Sequence, residues 1–178
     1  MNRSIRAAMA ALFASGALAG PSFAAGDGGG SSDTVNQCKQ GEVWDKEKQK
    51  CVVPGQGMID DESIYEAGRD LAMAGRYGEA ISVLSLAANK SDPRILNYLG
   101  YSHRKQGRVL VGLGYYQEAL RANPDYTLVR EYLGEAYLQL GDVDAARGQL
   151  AEIEKRCGTG CAEHAELERQ IEAFTTRG

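Results

Sequence analysis

A chain of 178 residues, 43% apolar and 25% charged, has room for one domain with tails and the composition of an ordinary globular protein. Its formal net charge of −4 offers no basic face of the kind nucleic acids require, so no nucleic-acid partner is expected. Beyond the first 24 residues no stretch approaches the roughly 20 apolar residues of a membrane helix, which argues against insertion by the rest of the chain.

The N-terminus has the order of a secretory signal peptide. Arg3 and Arg6 make a short positive region, Ala7 to Gly20 is an apolar run rich in alanine, and Pro21-Ser-Phe-Ala24 places small residues before a cleavage site near Ala24. Loss of residues 1–24 removes two basic side chains and no acidic one. The remainder carries 18 basic against 24 acidic residues, a net charge of −6. A soluble protein of an exported compartment is expected, most simply the periplasm of a bacterium. Residues 25–37, rich in Gly and Ser, form a flexible linker with little to bury.

Residues 38–53 follow as a small module. Val43-Trp44 and Cys51-Val-Val53 have strand character, and the charged residues between them suit an exposed turn, so a short hairpin is expected. Two strands alone are marginal in water. In an oxidising compartment Cys38 and Cys51 would pair, and a closed loop of that size contributes about 3 kcal/mol in the chain-entropy model. The spacing Cys-x2-Gly-x2-Trp-Asp-x5-Cys is weakly similar to the peritrophin-type chitin-binding module, whose further cysteines are missing here. That similarity makes Trp44 a candidate glycan contact. The alternative is that Trp44 covers the disulfide or packs on the element that follows. Pro54-Gly-Gln-Gly57 is expected to act as a hinge.

From Asp61 the pattern becomes helical and periodic. Leu99-Gly100 recurs 34 residues later as Leu133-Gly134, and Gly107-Arg-Val109 recurs as Gly141-Asp-Val143. Ala67-Gly68 and Gly75-Arg-Tyr77 are the same landmarks 32 residues earlier. Helices are expected near 61–74, 77–89, 93–106, 109–122, 127–140 and 143–156. Asp60, Asp61, Ser63 and Asp92-Pro93 provide helix starts, and Gly75, Gly107 and Gly141 provide stops. A last helix over 161–176 should place Ala165, Leu167, Ile171 and Phe174 on one side. A stacked array needs such a polar-backed end piece.

This period and these residues resemble the tetratricopeptide repeat family. The second repeat supplies Leu96, Leu99-Gly100, His103, Gly112, Tyr116, Ala119 and Pro124. The third supplies Leu133-Gly134, Tyr137, Ala146 and Leu150, and the first Ile64, Ala67-Gly68, Leu71, Ala80, Leu84 and Ala87. Arg130 stands where a bulky apolar residue is usual, His103 stands at the usual Tyr, and the first repeat is two residues short before Pro93. The resemblance implies an all-α solenoid over 61–160, with repeats at 61–92, 93–126 and 127–160. It also implies that the first helices of each pair line a concave surface holding a partner protein or peptide. Carried over by helical phase, that surface is Tyr65, Arg69, Asn97, Tyr101, Arg104, Glu131, Glu135 and Leu138.

Cys157-Gly-Thr-Gly-Cys161 lies between the last repeat and the end helix. Four cysteines allow three connectivities, and nearness in sequence favours Cys38–Cys51 with Cys157–Cys161. A metal site of Cys157, Cys161 and His164, or a thiol function of the two cysteines, is the weaker alternative. It lacks a fourth ligand, and an oxidising compartment opposes free thiols. The chain has no nucleophile elbow, phosphate loop or metalloprotease helix motif, so no catalytic residue, cofactor or resident metal is expected. His103 sits at a packing slot. The expected function is that of a non-catalytic scaffold of the bacterial cell envelope.

Overall fold

A computed structural model describes residues 38, 39, 41–53 and 59–176. The expected signal peptide, linker and hinge lie outside these residues. Two strands, β1 (Val43–Asp45) and β2 (Lys50–Val52), precede seven helices: α1 (Asp61–Met73), α2 (Tyr77–Leu84), α3 (Pro93–Lys105), α4 (Val109–Ala122), α5 (Thr127–Gln139), α6 (Val143–Cys157) and α7 (Ala162–Thr175).

The strands pair antiparallel with Val43 opposite Val52, Trp44 opposite Cys51 and Asp45 opposite Lys50. The Cys38–Cys51 disulfide closes the hairpin. Its turn is held by Asp45, which is buried and accepts from the Lys48 backbone N–H at 2.8 Å and from Lys48 Nζ at 2.6 Å. These two bonds hold the Asp45 carboxyl below the usual carboxylate range. Val43 joins the core of the first repeat beside Ile64, Leu71 and Leu84. The Lys46 backbone N–H donates to Ser63 Oγ, and Lys46 Nζ pairs with Glu66. The hairpin is therefore docked on α1.

The helix boundaries follow from local chemistry. Asp60 caps α1 by accepting from the Ser63 N–H at 2.8 Å, and Asp92 caps α3 by accepting from the Arg94 N–H at 2.9 Å. Gly75, Gly107 and Gly141 all have φ between 76° and 80°, the left-handed region that ends a helix at low cost in glycine. In each case the next residue's N–H reaches back to a carbonyl five residues earlier: Arg76 to Leu71, Arg108 to His103, Asp142 to Tyr137. Helix α2 stops at Leu84 instead of continuing to 89. The Asp61 carboxylate takes the Ala88 and Asn89 N–H groups at 2.7 and 2.8 Å and leads the chain off early. Arg130 is not a packing residue. Its guanidinium donates to the Pro124 carbonyl at 2.7 Å, where Arg156 also donates at 3.0 Å, so two arginines pin the turn between the second and third repeats.

Three successive apolar clusters run along the array. Ile95 and Leu99 of α3 close the first, Val129 and Leu133 of α5 close the second, and Leu167 and Ile171 of α7 close the third. Each repeat therefore completes its core with its neighbour's first helix. Small residues set the approach. A Cβ on Gly68 would lie 2.3 Å from Leu84 of α2, and one on Gly100 would lie 2.7 Å from the Tyr116 ring of α4. At Gly134 the neighbour is Leu167 of α7, at 2.6 Å, so the end helix packs into the third notch.

The end helix differs from expectation in one respect. His164, Leu167 and Ile171 form its buried face, whereas Ala165 is exposed and Phe174 is 42% exposed. Spacing of three and four from His164 fits the helical period better than the set that begins at Ala165.

Two glycines of α4 should respond oppositely to alanine. At Gly112 a Cβ would meet the Gly100 carbonyl oxygen at 2.8 Å, and backbone cannot step aside. Gly112→Ala is expected to lose about 1–3 kcal/mol in urea unfolding. Nothing lies within 4 Å at Gly114, so Gly114→Ala should gain about 0.5–1 kcal/mol from helix propensity.

Candidate groove and its relatives

Neighbouring first helices touch: α1 packs on α3, α3 on α5, and α5 on α7. The second helices α2, α4 and α6 touch one another marginally at most. The array therefore curls toward the first helices, which carry the candidate groove. Its framework is aromatic. Tyr65 and Tyr98 have ring centroids 6.0 Å apart, Tyr98 and Tyr101 6.3 Å, and Tyr101 and Tyr132 5.0 Å. Cations lie over these rings: Arg94 at 4.5 Å from the Tyr65 centroid and Lys105 at 5.2 Å from that of Tyr101.

The eight residues carried over by phase divide into two sets. Tyr65, Arg69, Tyr101 and Glu135 are partly accessible. Asn97, Arg104, Glu131 and Leu138 are buried. They form the floor under the groove. Arg94, Lys105 and Arg169 contribute accessible charge at its surface. Asn97 is fully buried, and neither its amide N nor its amide O has a hydrogen-bond partner among the described residues.

Arg104 joins three helices. Its Nε donates to the Tyr116 hydroxyl at 3.2 Å, its Nη2 lies 2.7 Å from a Glu135 oxygen, and its side chain is 1% exposed. Burial disfavours the charged guanidinium, but Tyr116 and Glu135 outweigh it and its pKa stays above the ordinary value. Loss of Glu135 would strand this charge in the interior, at a cost of roughly 3–5 kcal/mol.

Glu131 has no such partner. It is 7% exposed, and no hydrogen bond or ion pair reaches it among the described residues. Burial raises its pKa to about 8, with Glu135, Glu166 and Glu163 adding to the effect and Arg104 opposing it. Glu135, Leu138, Arg169, Ala173 and Phe174, but not Glu131, border an open cleft of about 590 Å³ between α5 and α7.

The other candidates are placed as follows. Trp44 is half-buried, lies opposite Cys51, and borders a cleft of about 470 Å³ shared with Leu71, Val83 and Leu86 of the first repeat. The polar groups of this cleft are largely engaged: Arg76 makes two bonds to Glu79, and Ser82 Oγ donates to the Gly78 carbonyl. Cys157 and Cys161 are joined in a disulfide, so neither sulfur is a thiolate ligand; Glu163, not His164, places an atom within 4.8 Å of both sulfurs. His164 is buried instead. His103 is half-buried and stacked on Tyr115 at 5.3 Å, as a packing residue is, and burial lowers its pKa.

Glu131 makes stability depend on pH. An unfolded glutamate titrates near 4.5, so between that value and about 8 the folded state holds one more proton than the unfolded state. The contribution of Glu131 to stability should be full below pH 4.5 and fall by at most about 1.4 kcal/mol per pH unit up to pH 8. Urea unfolding of Glu131→Gln should lack this part of the pH dependence.

Comparison with known proteins agrees with the architecture. The tetratricopeptide repeat family model matches residues 65–126 and 99–160. A TPR repeat-containing thioredoxin of Arabidopsis thaliana, TTL4, is 29% identical over 115 residues, which are 63% of this chain. The match spans only 16% of that plant protein. The first TPR of Spaghetti (RPAP3), bound to the HSP90 peptide SRMEEVD, has a TM-score of 0.57 at 18% identity, covering 66% of this chain and 94% of its own. The Yersinia enterocolitica type III secretion chaperone SycD, in complex with a peptide of the translocator YopD, has a TM-score of 0.55 at 19% identity, covering 65% and 89%. With the family's period, its glycine notches and its two-helix units all present, this chain belongs to the tetratricopeptide repeat family.

Proposed function

We propose that this protein is a non-catalytic scaffold of the bacterial cell envelope that holds an extended segment of a partner protein along the face of α1, α3, α5 and α7. The observation that carries this reading is the row of tyrosines and accessible charges on the inward-curling first helices. Aromatic rings with charged neighbours are the composition of a contact surface more than of a solubilising one. The structures bound to SRMEEVD and to the YopD peptide are similar in fold and lend support. The compartment rests on Arg3, Arg6, the alanine-rich stretch and Ala24, and agrees with both cysteine pairs being oxidised.

Two experiments test this. Selection from a displayed random-peptide library should yield binders that lose at least tenfold in affinity for Lys105→Glu. They should keep it for Leu110→Ser, whose side chain is 72% exposed and outside the groove. Equal loss in both variants, or in neither, would remove the groove from the account. For the compartment, mass spectrometry of the protein expressed in a bacterium should find a periplasmic species beginning near Ala25. An intact N-terminus in the cytosol would contradict export.

A further inference from the structure

We infer that the cleft between the hairpin and the first repeat is a binding site for an uncharged, apolar small molecule. None of the candidate groove residues lines it, so the inference is independent of the groove reading.

The cleft has fixed walls. On the hairpin side Val43 is anchored in the core of the first repeat, and the Cys38–Cys51 disulfide ties down Cys38, which also lines the cleft. On the other side Ala67 and Leu71 come from α1, and Val83 from α2, with Leu86 just beyond it. Room is left where side chains are missing. Gly41 and Gly78 both line the cleft; a Cβ on Gly41 would meet nothing within 4 Å, and one on Gly78 would come no nearer than 3.7 Å, to Gln106. The volume of about 470 Å³ falls inside the roughly 300–1,000 Å³ of small-molecule pockets. Two apolar residues of the lining, Val53 and Leu86, are 45% and 44% exposed, so an occupant would remove apolar surface from water.

The charge of the occupant follows from the same lining. Its cations are Lys39 and Arg76 and its anions Glu42 and Glu79, so the cleft has no net charge. Arg76 spends two N–H groups on Glu79, at 2.8 and 2.6 Å, and Ser82 Oγ donates to the Gly78 carbonyl at 3.0 Å. The Glu42 carboxylate accepts the Lys39 backbone N–H at 3.2 Å. Lys39 and Glu42 make no ion pair among the described residues, but they are of opposite sign and three residues apart, so they leave no net field for an ion. A charged guest would exchange its hydration for apolar walls and gain no counter-charge in return. An uncharged apolar guest meets no such penalty.

Trp44 lines the cleft and is the single tryptophan of the chain, so its emission reports binding there. The test compares two probes with one ring skeleton, uncharged N-phenylnaphthylamine and the anionic anilinonaphthalene sulfonate, each titrated into the oxidised protein. The uncharged probe should quench Trp44 by energy transfer, saturate at one molecule per chain and bind at least tenfold more tightly than the sulfonate. Leu86→Ser removes apolar wall, and Ser82→Phe occupies the cleft from an exposed position; each should weaken binding at least tenfold. Phe174→Ser, at the separate cleft between α5 and α7, should leave it unchanged, with circular dichroism showing the same helical content in every variant. Equal or tighter binding of the sulfonate would overturn the inference. So would the absence of saturable binding, or a loss in Phe174→Ser that Leu86→Ser and Ser82→Phe do not show.

Discussion

Arg104 is the charge on which the second half of this structure depends. It is buried where α3, α4 and α5 meet, bonded to Tyr116 and paired with Glu135. A buried guanidinium is tolerated only when its partners are fixed, so this one site constrains the angle between the second and third repeats. The ring that partners it also fills the notch at Gly100. Packing and electrostatics therefore specify the same register.

That choice has a consequence along the groove. The two positions one helical turn apart on α5, Glu131 and Glu135, do not share Arg104: Glu135 takes it and Glu131 is left without a counter-ion. At the equivalent place in the second repeat, Asn97 is buried and neutral, and in the first Tyr65 offers a ring to Arg94. One structural position thus carries a ring, an amide and an acid in succession. The groove is graded from internally neutralised to locally acidic.

Much of the architecture was legible in the sequence, because it is written in period and in backbone chemistry. Gly75, Gly107 and Gly141 marked the ends of the first helices, and the notches at Gly68, Gly100 and Gly134 marked close approach. What period could not give was the identity of the intruding side chain. Leu167 of the end helix, remote in sequence, is the one at Gly134. Helix α2 was overestimated because an acid on another helix, Asp61, captures its exit. The candidate groove residues were carried over by phase, and phase assigns a direction and not an exposure. Asn97, Arg104, Glu131 and Leu138 lie on the first helices and are buried. The Arg104–Glu135 pair joins residues 31 apart in different repeats, and only the fold brings them together.

The central claim is that the first helices form the binding face. The most direct measurement is an amide chemical-shift titration of the labelled protein with a peptide selected from the displayed library. The account predicts the largest shifts on α1, α3 and α5, centred near Tyr65, Tyr101 and Lys105. Shifts confined to the hairpin around Trp44, or to α2, α4 and α6, would contradict it.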